Sequence, residues 1–331
     1  MKKFAPLLSF LILAILGLAI DQMLNPYIQR TLDLVLVNII LAMSLNLVNG
    51  YTGQFSLGHA GFMAIGAYTS AYLSAHWVAP VAMLPHLMYF VCYSVLSGIL
   101  AAVAGWLVGQ PSLRLKGDYL AIVTLGFGEI IRVIILNSNA LGGARGFFGI
   151  PSPSPISIGN FMLNPFYSFY LIAIFWVVTC FFVIYRTVHS THGRAFMSIR
   201  EDEIAADSLG INTTQVKVKS FVLSSFFAGV AGSLFAHCMN FIAPSTFSML
   251  MSINVVIMVV LGGMGSMTGP ILAAIIISIL PEALRPLQDL TGQDYRMIIY
   301  SLTLIVLMLV RPQGLLGHKE IWNFWSKPRV K

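Results

Sequence analysis

Long apolar segments follow one another along the chain, separated by short polar stretches. A helix needs about 20 apolar residues to cross the hydrocarbon core of a bilayer. The pattern therefore predicts an all-α, polytopic integral membrane protein with about ten transmembrane helices in a single domain over residues 1–331. The predicted spans lie near residues 4–20, 31–49, 58–77, 87–108, 118–137, 167–185, 220–242, 249–262, 268–284 and 296–310.

The composition excludes several classes of protein. Of the 331 residues, 57% are hydrophobic and only 9% are charged, whereas a soluble domain carries about a quarter charged residues. The mean hydropathy is +0.84. A soluble enzyme, a nucleic-acid-binding protein and a secreted disulfide scaffold are excluded. Cys92, Cys180 and Cys238 lie in apolar segments without Cys-x-x-Cys spacing, which predicts packing roles.

The net charge of +7 is explained by topology, because Lys and Arg concentrate in the cytoplasmic loops of membrane proteins. With ten spans and a cytoplasmic N-terminus, 14 of the 19 basic residues lie on the cytoplasmic side. The sequence thus predicts cytoplasmic termini, a cytoplasmic loop at 187–219 and a cytoplasmic tail at 311–331. The first apolar segment is either an uncleaved span or a signal peptide.

Nine of the charged residues lie between Arg186 and Lys219. Ser198 followed by Glu201 is typical of a capping box at a helix N-terminus, and Gly210 suits the position just after a helix. The sequence therefore predicts a short helix at 199–209.

The predicted helix carries an apolar stripe formed by Ile204, Ala205 and Leu209. A short helix of this kind suits docking into a groove of another protein. The alternative is a solvated loop that only connects two spans.

Two glycine-rich segments, 49–61 and 261–270, interrupt apolar runs and are predicted to break helices. Irregular backbone at membrane depth is tolerated only where it is buried in protein or lines a wet cavity. Both a substrate path and close packing through small residues are consistent with the pattern. The candidate path residues are Gly53, Ser56, Gly58, His59, Gly61, Gly262, Gly263, Gly265 and Ser266.

Few other polar residues stand out. His59, near a turn, is typical of a hydrogen-bonded structural group. Glu129 precedes Arg132 by three residues, so we predict an ion pair. Apart from these two, we expect almost no ionisable residue within the spans. The loop at 142–151 is either a plain connector or a surface for an external partner.

The motifs of several enzyme classes are absent. The sequence has no Gly-x-x-x-x-Gly-Lys-[Ser/Thr], His-Glu-x-x-His or Gly-x-Ser-x-Gly motif and no metal-spaced Cys/His cluster. We therefore predict no catalytic residue, no metal and no cofactor. A transporter without its own ATPase or an ion relay would need to take energy from a partner, which points to the 199–209 helix.

Six stretches of the sequence are distinctive when taken together. They are GQFSLGHAG at 53–61, LKGDYLAIVTLGFGE at 115–129, GGARG at 142–146, the segment 193–210, VVLGGMGS at 259–266 and RPQGLLG at 311–317. Together they resemble, across almost the whole chain, the permease subunits of ATP-binding-cassette importers for branched-chain amino acids. The resemblance implies that the 199–209 helix is the coupling helix that contacts an ATPase.

Such importers often carry a Glu-Ala-Ala-x-x-x-Gly pattern in this helix. Here Ile204 stands where Glu is expected, and Glu203 precedes it by one residue. The residues expected to couple to the ATPase are Arg200, Glu201, Asp202, Glu203, Ala205, Ala206 and Gly210.

The resemblance also implies partners and a location. It implies a second, non-identical permease, two ATPase subunits and a periplasmic substrate-binding protein, all at a bacterial inner membrane and without nucleic acid. The expected function is translocation of branched-chain or related hydrophobic amino acids. An importer of urea or short amides and an ion-coupled secondary transporter are the alternatives.

Overall fold

A computed structural model describes residues 17, 25–76, 86–113, 117–151, 156–158, 161–163, 165–284, 301–302, 305–306, 309–310, 313–317 and 320. The predicted spans at 4–20 and 296–310 lie largely outside the described residues. So does most of the predicted tail at 311–331.

The described part is built mainly from helices. They are α1 Pro26–Asn46, α2 His59–His76, α3 His86–Ser112, α4 Asp118–Leu136, α5 Pro165–Val188, α6 Thr191–Glu201, α7 Glu203–Ser208, α8 Thr213–Met239, α9 Met249–Gly262 and α10 Thr268–Ala283. A π-helical turn, Leu47–Tyr51, continues α1. Short 3₁₀ turns lie at Asn139–Leu141, Gly143–Arg145 and Pro244–Phe247.

Five helical segments in the described part are long and apolar enough to cross a membrane: Pro26–Tyr51, Met88–Ser112, Tyr119–Leu136, Phe166–Val188 and Thr213–Met239. The apolar helices α9 and α10 have only 14 and 16 residues. At 1.5 Å per residue they extend over about 21 and 24 Å, less than the roughly 30 Å of the hydrocarbon core. The predicted count of ten spans is therefore not confirmed.

The described part is predominantly helical, as expected, and two short antiparallel ladders accompany the helices. Strand β1 (Phe147–Phe148) pairs with β4 (Phe241–Ile242), and β2 (Ile156–Ile158) pairs with β3 (Phe161–Leu163). The first ladder joins the loop after α4 to the chain after α8. It forms because extended backbone beside a helix end must satisfy its own N–H and C=O groups.

The centre of the bundle is formed by α1, α2 and α8. The span windows of Pro26–Tyr51 and Thr213–Met239 are 72% buried, whereas those of α3 and α4 are 28% buried. Glycine allows α2 and α8 to approach closely, since a Cβ on Gly232 would lie 2.9 Å from the Ala67 nitrogen. Small residues of this kind are common where membrane helices pack.

The helix ends form two groups. One, here called the glycine end, contains residues 47–58, 189–212 and 262–268. The other, here called the strand end, contains the β1–β4 ladder. Contacts within each group show that α1, α2, α3, α4, α5, α8, α9 and α10 alternate in direction between the two ends.

Candidate functional site: the glycine junction

The first glycine-rich segment leaves α1 through the π-helical turn Leu47–Tyr51. At Gly53 the backbone adopts a φ of +68°, a conformation that glycine adopts without steric cost. The Gln54 N–H donates to the Val48 carbonyl oxygen (3.1 Å), and the Ser56 N–H donates to the Asn49 side-chain oxygen (3.2 Å). These bonds satisfy the backbone of a non-helical stretch that leads to α2, as predicted from the glycines.

The second glycine-rich segment separates α9 from α10. Gly263 and Gly265 have φ values of +111° and +89°, so the helix cannot continue through them. The Ser266 hydroxyl accepts a hydrogen bond from the Gly269 N–H at 3.1 Å, which satisfies a donor in the first turn of α10. The predicted break is confirmed at this segment too.

The two broken segments lie against each other, and Asn46 joins them. Its side-chain nitrogen donates to the Ser266 carbonyl oxygen (2.7 Å), and its oxygen accepts from the Gly265 N–H (3.1 Å). A Cβ on Gly50 would lie 2.5 Å from the Gly265 nitrogen. This arrangement, here called the glycine junction, depends on the absence of side chains where the two backbones meet.

A stretch of the C-terminal region covers the junction. The Leu315 N–H donates to the Leu261 carbonyl oxygen at 2.7 Å. The Glu320 carboxylate accepts from the Met267 N–H (2.7 Å) and from the N–H (3.0 Å) and hydroxyl (2.6 Å) of Thr268. A carboxylate at this position stabilises the N-terminus of α10.

The predicted helix at 199–209 is wrong as a single element. The structure has two helices, α6 and α7, which meet at Asp202. The Asp202 carboxylate accepts from the N–H groups of Ile204 (2.8 Å) and Ala205 (3.0 Å), so Asp202 is the N-cap. The Ser198 hydroxyl instead donates to the Ala195 carbonyl oxygen. Asp202 is the better cap because the backbone N–H groups that follow it are free to bind its carboxylate, whereas Ser198 lies inside α6.

The predicted end of this segment is confirmed. Gly210 has a φ of +84°. Its N–H donates to the Asp207 carbonyl oxygen, and the Ile211 N–H donates to the Ala206 carbonyl oxygen. These two bonds form a Schellman motif, which requires a left-handed residue at the position of Gly210.

Arg200, at the end of α6, connects the helix pair to the junction. Its Nη1 donates to the Gly50 carbonyl oxygen at 3.2 Å, and its Nη2 lies 2.7 Å from the Glu201 carboxylate. A Cβ on Gly53 would lie 2.9 Å from the Arg200 Cγ. A second ion pair, Lys217 with Glu203 at 2.7 Å, ties α7 to α8. Arg200 and Glu203, both expected to couple to the ATPase, therefore make contacts within this chain.

The remaining predicted path residues are mostly buried. Ser56, His59 and Ser266 have exposures of 2%, 3% and 0%. His59 Nε2 lies 2.9 Å from the Ser44 hydroxyl oxygen, so the expected structural hydrogen bond is confirmed. Gly262 and Gly263 are also buried, whereas Gly53 lies at the surface.

Gly58 immediately precedes α2, Gly61 lies in its first turn, and both face α4. A Cβ on Gly58 would lie 2.5 Å from the Thr124 carbonyl oxygen, and one on Gly61 would lie 2.8 Å from the Gly128 Cα. The Leu57 N–H also donates to the Thr124 hydroxyl at 3.1 Å. Within this chain these glycines therefore serve close packing of α2 on α4.

On α4, Arg132 Nε donates to the Glu129 carboxylate at 2.7 Å, so the predicted ion pair is confirmed. Asp33 is one of the few other ionisable residues within the predicted spans, and it was not singled out from the sequence. Asp33 lies in α1, inside the predicted span at 31–49, and is only 6% exposed. The sequence signal that could have identified Asp33 was an acidic residue within an apolar segment.

Asn46 and Glu320 were also missed. Both are distant in sequence from the segments they bind, so no local spacing identifies them. Among the described residues, no three His, Cys, Asp or Glu side chains converge as a metal site would require.

The comparison with protein families decides the identity of the chain. Residues 27–308 match the family model described as branched-chain amino acid transport system / permease component. The chain belongs to this family. The recognition made from the sequence is confirmed, and the chain is a multi-pass membrane transport protein.

Curated permeases are similar to most of the chain. LivM, a high-affinity branched-chain amino acid transport system permease protein of Escherichia coli K12, is 40% identical over 304 residues, which cover 86% of this chain and 68% of LivM. LivH, a permease protein of the same description and organism, is 26% identical over 290 residues, 85% of this chain and 92% of LivH. A probable LivM of Methanocaldococcus jannaschii is 25% identical over 243 residues, 69% of each protein. No solved structure matches the chain.

Proposed function

We propose that this permease chain is a membrane-spanning subunit of an ATP-driven importer and carries branched-chain amino acids across a bacterial inner membrane. The observation that carries the proposal is the connection between α6–α7 and two broken helices through the Arg200–Gly50 contact. It provides a mechanical link between a surface helix and the membrane part of the chain. The names of the relatives favour branched-chain amino acids over urea and short amides.

The glycine end faces the cytoplasm in this proposal. The basic residues of 186–219, including Arg194 and Lys219, lie at or next to this end, and the positive-inside bias places such residues in the cytoplasm. Arg145 lies at the strand end, which then faces outward. Both termini are cytoplasmic if the predicted first and last spans cross the membrane.

The helix α7 is the contact for the ATPase. Ile204 and Leu209 are 70% and 81% exposed, although both are large and apolar. Exposed apolar side chains on a short helix suit a groove in a soluble protein. Ala205 is exposed next to them, whereas Ala206 packs inward and Asp202 fixes the start of the helix.

Movement of α7 reaches the membrane part by two routes. The first is the Lys217–Glu203 ion pair to α8, in which the Lys217 side chain is only 5% exposed. The second is Arg200, which contacts both Gly50 and Gly53 of the first broken segment. Since Asn46 joins this segment to the second, a shift of α6–α7 acts on both segments at once.

The path itself runs along the two glycine-rich segments, between this chain and its partner. A charged group at the bilayer centre costs about 2.5–3.5 kcal/mol even on the lenient insertion scale, so a zwitterion needs polar lining. Ser56, His59 and Ser266 are buried within this chain, so the path is closed in this proposal. Opening requires the segments to separate and expose these groups.

A second, non-identical permease completes the path. LivM and LivH of Escherichia coli K12 are both named as permease proteins of a high-affinity branched-chain amino acid transport system. On this chain the open face of α4 fits such a partner, since Ile122 and Ile130 are exposed and a Cβ on Gly126 would meet nothing within 4 Å. The Glu129–Arg132 pair lies on the same helix. Placing its charges against a partner protein costs less free energy than exposing them to lipid.

Purification of the chain from its native membranes in mild detergent tests the assembly. We expect two ATPase subunits, a second permease and the substrate-binding protein to be identified with it by mass spectrometry. The complex in liposomes should take up leucine only with ATP and binding protein. A chain that purifies alone, or uptake that needs a proton gradient and no ATP, would contradict the proposal.

The path is tested separately in the assembled complex. Gly58→Val and Gly262→Val should reduce leucine uptake strongly, because each places a side chain against backbone. Val103→Phe on α3 is the control, because Val103 is 48% exposed and the larger side chain stays outside the packed interior of this chain. Unchanged uptake by both valine variants would show that the glycine segments do not line or gate the path.

A further inference from the structure

A cavity of about 280 Å³ lies at the strand end between α1, α5 and α8. Its wall includes Arg30, Asp33, Phe166, Phe169 and His237. The side chains at its rim, such as Arg30, are exposed, whereas Asp33 and His237 are 6% and 2% exposed. The cavity therefore leads from the surface of the bundle towards a buried carboxylate.

Asp33 is the unusual group in this cavity. Its Oδ1 atom is buried and has no hydrogen-bond partner within the described part of the chain. An ionised carboxylate out of water is costly unless it is paired and hydrogen-bonded. A cationic group with several N–H donors would relieve that cost.

Arg30 lies one helical turn before Asp33 and supplies the opposite charge. Its Nη2 donates to the Met239 sulfur at 3.1 Å, and a thioether is a weak acceptor. In the described part no Arg30–Asp33 ion pair is formed. The two side chains thus lie on one wall of the cavity without forming an ion pair with each other.

His237 does not compete for the cavity, because both of its ring nitrogens are engaged. Nδ1 donates to the Pro151 carbonyl oxygen at 3.0 Å, and Nε2 accepts from the Ser70 hydroxyl at 2.8 Å. This pair of partners fits the neutral ring. The aromatic side chains of Phe166 and Phe169 provide an apolar wall beside the charges.

We infer that this cavity binds a zwitterionic amino acid. The ammonium group would bind the Asp33 carboxylate, the carboxylate would bind the Arg30 guanidinium, and an apolar side chain would pack against Phe166 and Phe169. A small number of polar groups in a largely apolar pocket is the usual arrangement for small ligands. The inference rests on the proposed import function, and it identifies the strand end as the place where substrate enters this chain.

Leucine uptake by the assembled complex in liposomes is the first test. The Asp33→Asn variant and the Arg30→Gln variant should each lower uptake at limiting leucine by about tenfold, because each removes a charge-assisted bond worth at least 1.4 kcal/mol. Arg30→Lys keeps the charge and should lose less. Each variant should co-purify with the ATPase subunits and the second permease as the unsubstituted chain does, which shows that it folds and assembles.

The outcomes separate the inference from the proposed function. An unsubstituted complex that takes up no leucine would contradict the proposed function. An active complex whose Asp33→Asn and Arg30→Gln variants both take up leucine normally would overturn only the inference.

If a variant fails to assemble, a cysteine of the unsubstituted chain provides a second test of the inference. Cys238 is a free cysteine in the cavity wall, and Cys92 is a free cysteine on α3. In the unsubstituted complex, leucine should slow alkylation of Cys238 by N-ethylmaleimide at least threefold and leave Cys92 unaffected, as measured by mass spectrometry.

Two analogues sharpen this second test. The deaminated acid 4-methylpentanoate and the amine 3-methylbutylamine each lack one of the two charges, and neither should protect Cys238 as leucine does. No protection by leucine, equal protection by the amine alone, or a Cys238 that does not react at all would each overturn the inference.

Discussion

The Arg200 guanidinium donates a hydrogen bond of 3.2 Å to the carbonyl oxygen of Gly50. The contact joins the last turn of α6 to the turn that ends α1, across 150 residues of sequence. A helix at the surface of the permease is thereby connected to the glycine junction without an intervening flexible loop. Four predictions concern this arrangement and the surfaces around it.

Replacement of Arg200 by alanine should uncouple ATP hydrolysis from transport. A hydrogen bond from a charged, partly exposed group is worth about 1 kcal/mol, which corresponds to a roughly fivefold fall in leucine transported per ATP hydrolysed. The measurement is uptake and hydrolysis in the same liposomes. Arg194→Ala is the control, because Arg194 is exposed on the same helix. Equal coupling ratios in both variants would contradict the role of Arg200.

Leu209→Asp should weaken binding of the ATPase without unfolding the permease. Leu209 is 81% exposed, so its replacement removes no packing within the chain, whereas burial of a leucine in an interface contributes about 1.5–3 kcal/mol. We expect at least tenfold less ATPase to be recovered with the tagged permease. Asp207→Asn, on the same exposed helix, should recover a normal amount. Full recovery with Leu209→Asp would place the ATPase contact elsewhere.

Removal of the Glu320 carboxylate should destabilise the start of α10. Glu320→Ala leaves the donors of Met267 and Thr268 without their acceptor, at a cost of about 1–2 kcal/mol. Glu320→Gln keeps an oxygen acceptor but loses the charge, so it should lie between alanine and the unsubstituted protein. Thermal unfolding of the purified complex measures the order. Three equal unfolding temperatures would show that the contact does not stabilise the junction.

The Glu129–Arg132 pair predicts a compensating double substitution. Each single variant, Glu129→Gln or Arg132→Gln, leaves one charge without its partner on the membrane-facing helix α4, and this is costly where water is excluded. The double variant leaves none. Recovery of the second permease with the tagged chain should fall in both single variants and return in the double variant. A double variant that recovers less than either single would argue against this pair lying at the permease interface.

The apolar pattern of the chain was enough to predict a helical membrane protein and most of the helix positions, because about 20 consecutive apolar residues have few other stable environments. Glycine-rich segments predicted the two helix breaks, since positive φ at Gly53, Gly263 and Gly265 is accessible to glycine at no cost. The pairing of Glu129 with Arg132 and the position of Gly210 after a helix also followed from local spacing. All of these depend on residues within a few positions of one another.

Other features arose only from the folded arrangement. Asn46 contacts Gly265 and Glu320 contacts Thr268 because the fold brings distant segments together, and no local pattern encodes such pairs. The helix predicted at 199–209 was divided at Asp202 because α6 continues through Ser198 and leaves that hydroxyl no free N–H to cap. The burial of Asp33 in a cavity likewise depends on where α5 and α8 pack against α1. Local sequence specifies which elements form, whereas long-range packing decides which polar groups meet.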